Sequence, residues 1–162
     1  MLFIDSSGSM SARLPNSTET RLDVAQEAAI ELINSLTGVR VGLAIFNGSS
    51  GARILVGVDD IDKNRKTMIR EIEDIDADDW TPLAEALQQI GRYFVQGHNG
   101  TLVLHPEQDN KTRKSAYTVF DQQPLYERGV SQQSPIQNIC QKSFVLLLTC
   151  LLYTSPSPRD MW

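Results

Sequence analysis

The apolar positions of this chain change period along its length, and each change predicts an element. Met1 to Ile4 is a short apolar run that ends at Asp5 and passes into Ser6-Ser7-Gly8-Ser9, the pattern of a buried strand running into a loop. Four residues are few for a central strand, so the run reads as one whose upstream part is missing, with Met1 an internal methionine or an artificial start. Thr20 with Asp23 forms a capping box, and Leu22, Ala25, Ala29, Leu32 and Leu36 recur at helical spacing up to Gly38, which predicts an amphipathic helix. Val39 to Phe46 is apolar on both alternations, as a strand covered on both faces would be. Arg53 to Val58 follows across a Gly/Ser turn as its hairpin partner.

A second helix fits Lys63 to Ile75, with Met68, Ile69, Ile72 and Ile75 inward. For the third, Thr81 is the N-cap and Pro82 the first helical residue, and Leu83, Leu87, Ile90 and Phe94 form one stripe. Residues 97–137 are rich in Gln, Asn and Ser without sustained period, and read as a long polar surface insertion with room for a short strand near Tyr117 to Phe120. Lys142 to Thr149 closes the pattern with an apolar strand. Strands apolar on both faces, alternating with helices, predict an α/β fold: a doubly wound, mainly parallel sheet with about four strands and three helices.

Composition narrows the function. Of 162 residues, 41% are hydrophobic and 22% charged, as expected of one globular domain. The 20 acidic residues outnumber 15 scattered basic ones, which argues against a phosphate-neutralising surface and so against a nucleic-acid partner. The longest apolar run, Phe144 to Leu148, falls far short of the roughly 20 residues of a membrane-spanning helix. No signal-peptide pattern opens the chain. Cys140 and Cys150 are too few for a disulfide framework or a thiolate metal site.

Cys150 to Asp160 matches, residue for residue, one translated frame of a common transposase-based sequencing adapter. On that reading residues 1–149 are natural sequence and 150–162 a non-native tail.

The residues that carry chemistry are Asp5, Ser7 and Ser9, a D-x-S-x-S pattern directly after a strand, where open parallel sheets place their binding crevice. A carboxylate and two hydroxyls on one tight loop suit a hard divalent cation such as Mg²⁺. The plain alternative is that the hydroxyls cap the next element, and for Thr81 that it is an N-cap only. Asp60, Asp62, Asn64 and Glu71 are spaced somewhat like a calcium loop, but Arg65 stands where that loop needs glycine. Asp76, Asp78 and Asp79 read as a solvated acidic loop able to tune a nearby crevice. Trp80 beside them is either a partner-contact residue or core packing. His98 and His105 fall in the polar insertion and read as surface residues.

The segment LFIDSSGSM, Leu2 to Met10, resembles the first metal-ion-dependent adhesion motif of von Willebrand factor A-type (VWA) domains. Thr81 in TPLAEAL matches the threonine that the family supplies from a later loop, and RLDVAQEAAIELINSL and VRVGLAIFNG match its first helix and second strand in order. ILVGVDDI, TPLAEAL and SPIQNICQKSFVLLLT bring the likeness closer to the type IV pilus tip-associated PilY1 family. In that family the last of these strands continues into Asp-Gly, whose aspartate completes the metal site; here Cys150 follows Thr149.

The resemblance implies a Rossmann-like VWA fold, present in part over residues 1–149, with Asp5, Ser7, Ser9 and Thr81 as metal ligands. It implies Mg²⁺ or Mn²⁺ in the complete domain, and weak or absent cation binding here. The implied role is adhesion in a pilus protein at the cell surface, fimbrium or periplasm of a Gram-negative bacterium. An acidic group of a protein ligand or host receptor would complete the coordination, with pilus components as further partners. Catalysis is not expected, since no side chain is placed as a general base. Two rivals stand: a generic VWA protein in another assembly role, chelatase-associated or membrane-anchored, and a Mg²⁺-dependent phosphatase with Asp5 as nucleophile. The phosphatase needs an acid/base aspartate where Ser7 stands.

Overall fold

The computed structural model describes residues 1–48, 51–78, 80–95, 123–138 and 140–150. The strand expected near Tyr117, along with His98, His105, Asp79 and the tail past Cys150, lies outside these residues. The elements in chain order are β1 (Leu2–Ile4), α1 (Arg21–Ser35), β2 (Arg40–Phe46), β3 (Ala52–Asp60), α2 (Ile61–Glu73), α3 (Leu83–Val95), β4 (Leu125–Tyr126) and β5 (Leu146–Leu148). They form a five-stranded sheet in the order β4-β3-β2-β1-β5. All neighbours are parallel except β2 and β3, the expected hairpin pair.

Alternation along the central strands assigns their side chains to two cores. Leu2, Ile4 and Leu43 face α1 and α2, meeting Leu22, Ala29, Ile33, Met68 and Ile72. Phe3, Ala44 and Phe46 face α3, meeting Ala86, Ile90, Tyr93 and Phe94, with Phe3 and Phe46 packed edge to face at 5.0 Å. A sheet covered on both faces is what the apolar run through β2 predicts. α1 opens on the expected capping box: Thr20 accepts from the Asp23 N–H, and the Asp23 carboxylate accepts from the Thr20 N–H.

Several expectations are corrected. α2 begins at Ile61, capped by Asp60, which accepts from the Asp62 N–H at 2.9 Å. The stretch read as a polar insertion supplies a strand: β4 pairs with β3 (Arg53 with Leu125, Ile54 with Tyr126), and Tyr126, Val130 and Ile136 pack on the core. Among the described residues the sheet thus has five strands, in keeping with the expected mainly parallel α/β fold. Of Lys142 to Thr149, the ladder takes Leu146–Leu148 alone. On α3, Leu87 is exposed, and the buried positions Gln89 and Tyr93 take over the inner face.

Those two polar residues answer a need created by β3. The β2–β3 register shifts twice, between Val41 and Leu43 and between Leu43 and Ala44. Leu55 and Val56 consequently enter the same core, as bulged residues do. Backbone groups at the shifts, and Ala52 at the start of β3, find side-chain partners. Tyr93 Oη accepts from the Val58 N–H at 2.9 Å, Gln89 Oε1 accepts from the Ala52 N–H at 2.8 Å, and Asn64 Nδ2 donates to Val41 O and Gly57 O at 2.9 and 2.8 Å. Gly42 is required opposite: a Cβ there would lie 2.6 Å from Val56 O and 2.8 Å from Val58 N.

Tyr93→Phe strands the buried Val58 N–H and is expected to lower stability by about 1–3 kcal/mol, measured by urea denaturation; a change within experimental error contradicts this role. At the other edge, exposed Phe144 and Val145 lead into β5, whose first residue Leu146 is exposed too, and an apolar strand edge invites pairing between chains. Sedimentation velocity is expected to show concentration-dependent self-association, with Phe144→Lys and Leu146→Lys each raising the monomer fraction. A monomeric parent chain contradicts this.

Candidate metal centre

Asp5 is the first residue past β1, and neighbouring elements hold it from several sides. Its N–H donates to Leu148 O at 2.9 Å, continuing the β1–β5 ladder by one step. Its Oδ1 accepts from the Ser7 N–H at 2.9 Å, and its Oδ2 accepts from the Thr149 hydroxyl at 2.5 Å. The carboxylate is buried, with the residue 1% exposed. Among the described residues no lysine or arginine pairs with it. An anion buried with neutral donors alone is costly unless a cation reaches it.

The loop that follows brings two hydroxyls together. Met10 is buried in the core and its N–H donates to Ser7 O at 2.9 Å, which tightens Gly8–Ser11 into a 3₁₀ turn. Ser7 Oγ and Ser9 Oγ come to 2.9 Å from each other, and Ser9 Oγ lies 3.2 Å from Cys150 Sγ. Neighbouring ligands in an octahedron with metal–oxygen bonds of about 2.0–2.1 Å are also about 2.9 Å apart. The two serine hydroxyls, which share a hydrogen bond, are thus spaced as two such ligands would be. Among the described residues no group of three or more His, Cys, Asp or Glu could hold a metal, so a cation here would depend on hydroxyls beside one carboxylate.

Thr81 lies at the same end of the sheet. Gln89 meets Ala52 at the start of β3, opposite the carboxyl end of β2, and Tyr93 meets Val58 further down. α3 therefore runs away from that end, and its N-terminus shares the end with Asp5. The expected cap is shifted: the Pro82 carbonyl accepts from the Ala86 N–H at 2.9 Å, the first helical bond. Thr81 is exposed in a cleft of about 450 Å³ with Trp80, Pro82 and Leu83. No hydrogen bond among the described residues joins it to the Asp5 loop.

Trp80 is 75% exposed, which removes core packing as its role. Asp76 and Asp78 are exposed and border a cleft with Asn47 and Gly48, just past β2. The calcium-like residues have structural tasks: Asp60 caps α2, Asn64 secures the bulge, and Glu71 pairs with Arg70 at 2.8 Å. Sequence reasoning missed Thr149, since nothing in an apolar strand's last residue says that its hydroxyl will reach a carboxylate 144 positions away.

The family model for the von Willebrand factor type A domain matches residues 1–123. The chain belongs to the VWA domain family. Among solved structures, it is similar to the conserved hypothetical protein BatB from Bacteroides thetaiotaomicron (17% identity, TM-score 0.47), covering 62% of this chain and 47% of that one. It is similar too to an uncharacterized membrane-spanning protein from Vibrio fischeri (19% identity, TM-score 0.47), covering 73% of this chain and 64% of that one. The VWA chain thus spans less than two thirds of the length of either. No curated protein matches it. In this VWA domain no described helix is long and apolar enough to cross a membrane.

Proposed function

We propose that this VWA domain is a protein-interaction module that binds its partner through a divalent cation, Mg²⁺ or Mn²⁺, held by Asp5, Ser7 and Ser9 with Thr81 from the turn before α3. The observation that carries this reading is the pair of serine hydroxyls 2.9 Å apart on the loop that follows the buried Asp5, with whose carboxylate no described lysine or arginine pairs. With one anionic ligand, the cation keeps most of its charge and an open position. An acidic side chain of a partner is the group such an ion would attract. Trp80, exposed near Thr81, would add an aromatic contact.

The role is binding and not bond cleavage, because Ser7 stands where a phosphatase would need its acid/base carboxylate. The segments ILVGVDDI, TPLAEAL and SPIQNICQKSFVLLLT support the narrower placement in a PilY1-like pilus biogenesis or tip-adhesin protein of a Gram-negative surface. The intact gene is then expected to encode a secretion signal and a downstream β-propeller region; a chelatase-type neighbourhood without them would point to the generic VWA role.

Titration calorimetry with Mn²⁺ is expected to show saturable binding, and Asp5→Asn to weaken it at least tenfold, the effect of removing the one charged ligand. Equal binding by the parent and Asp5→Asn forms, or none by the parent, overturns the reading.

A further inference from the structure

We infer that Thr149 is the positioning residue of this centre: its hydroxyl fixes the Asp5 carboxylate in the orientation that receives the cation. The inference rests on the cation-binding reading above and adds to it a residue outside the loop and α3. Its basis is the register of two strands. Ile4 pairs with Leu148, and the Asp5 N–H donates to Leu148 O, so the residues leaving the two strands, Asp5 and Thr149, emerge side by side. The Thr149 hydroxyl then donates to Oδ2 at 2.5 Å while the Ser7 N–H holds Oδ1.

A carboxylate turns easily about its last torsion, and a single donor on Oδ1 would leave that rotation loose. Donors on both oxygens, one from the loop and one from the residue just past β5, define the plane. Threonine suits the task because its branched Cβ restricts χ1 and so directs the hydroxyl. The hydroxyl is also neutral. An arginine or lysine in its place would pair with the carboxylate and cancel the charge that draws a cation. Each carboxylate oxygen has two lone pairs, so one bond to each leaves acceptor capacity for the metal.

The test compares Mn²⁺ affinity in the whole chain for the parent, Thr149→Ser and Thr149→Val, by calorimetry or by the spin resonance of free Mn²⁺. Circular dichroism and thermal unfolding without metal report on the fold. Serine keeps the hydroxyl and is expected to bind within about threefold of the parent. Valine keeps the shape without the donor, and is expected to bind about tenfold to a hundredfold more weakly, the range for losing a hydrogen bond to a charged group. Thr149→Ala removes the same donor and carries the test if the valine form does not fold. Valine binding as tightly as the parent overturns the inference and leaves the cation site standing, as does serine binding as weakly as valine. Absence of Mn²⁺ binding in the parent overturns both.

Discussion

Strand β1 is three residues long, paired in parallel on both edges and covered on both faces, and the rest of the molecule is arranged around that burial. Leu2 and Ile4 need the α1–α2 layer, and Phe3 needs α3. The cost of the arrangement appears at its carboxyl end, where the chain must leave the core within one residue. Asp5 leaves it while still buried, its N–H tied to β5 and its carboxylate closed over by the Ser7 N–H and the Thr149 hydroxyl. On the proposed reading, a cation would add a charged partner to a carboxylate that the described residues hold with neutral donors.

The hairpin illustrates how the same sheet accommodates irregularity. Two register shifts in β2–β3 remove backbone groups from the ladder, and each is met by a side chain from a helix or a neighbouring strand. Tyr93 serves from α3, Asn64 from α2, and Arg40 donates to Val58 O at 3.0 Å from β2 itself, while Gln89 of α3 accepts from Ala52 at the start of β3. These polar contacts set the direction of α3, and so bring Thr81 to the end of the sheet where Asp5 lies. The site's geometry thus depends in part on residues far from it.

Much of this was legible in the sequence because apolar periodicity reports burial directly. The three helices and the central strands follow from it, and the capping box follows from the spacing of Thr20 and Asp23. Where the structure departs from the pattern, a specific physical cause is visible. Leu125–Tyr126 is too short and too polar in its surroundings to register as a strand, yet β3 accepts it as an edge partner. Leu87 fits an apolar stripe on paper, but β3 calls for hydrogen-bonding side chains on the inner face: Tyr93 serves the N–H of Val58 at the bulge, and Gln89 that of Ala52 at the strand's start. The Asp5, Ser7 and Ser9 cluster was legible because its members are close in sequence; Thr149 was not, since its contribution depends on strand register.

The central claim is that the loop after β1 cradles a cation. It is tested most directly by soaking crystals of the chain in Mn²⁺ and locating the ion by its anomalous scattering. The account predicts one strong peak at bonding distance, about 2.1–2.2 Å, from oxygens of Asp5, Ser7 and Ser9. A peak at acidic surface groups with this loop empty would contradict it.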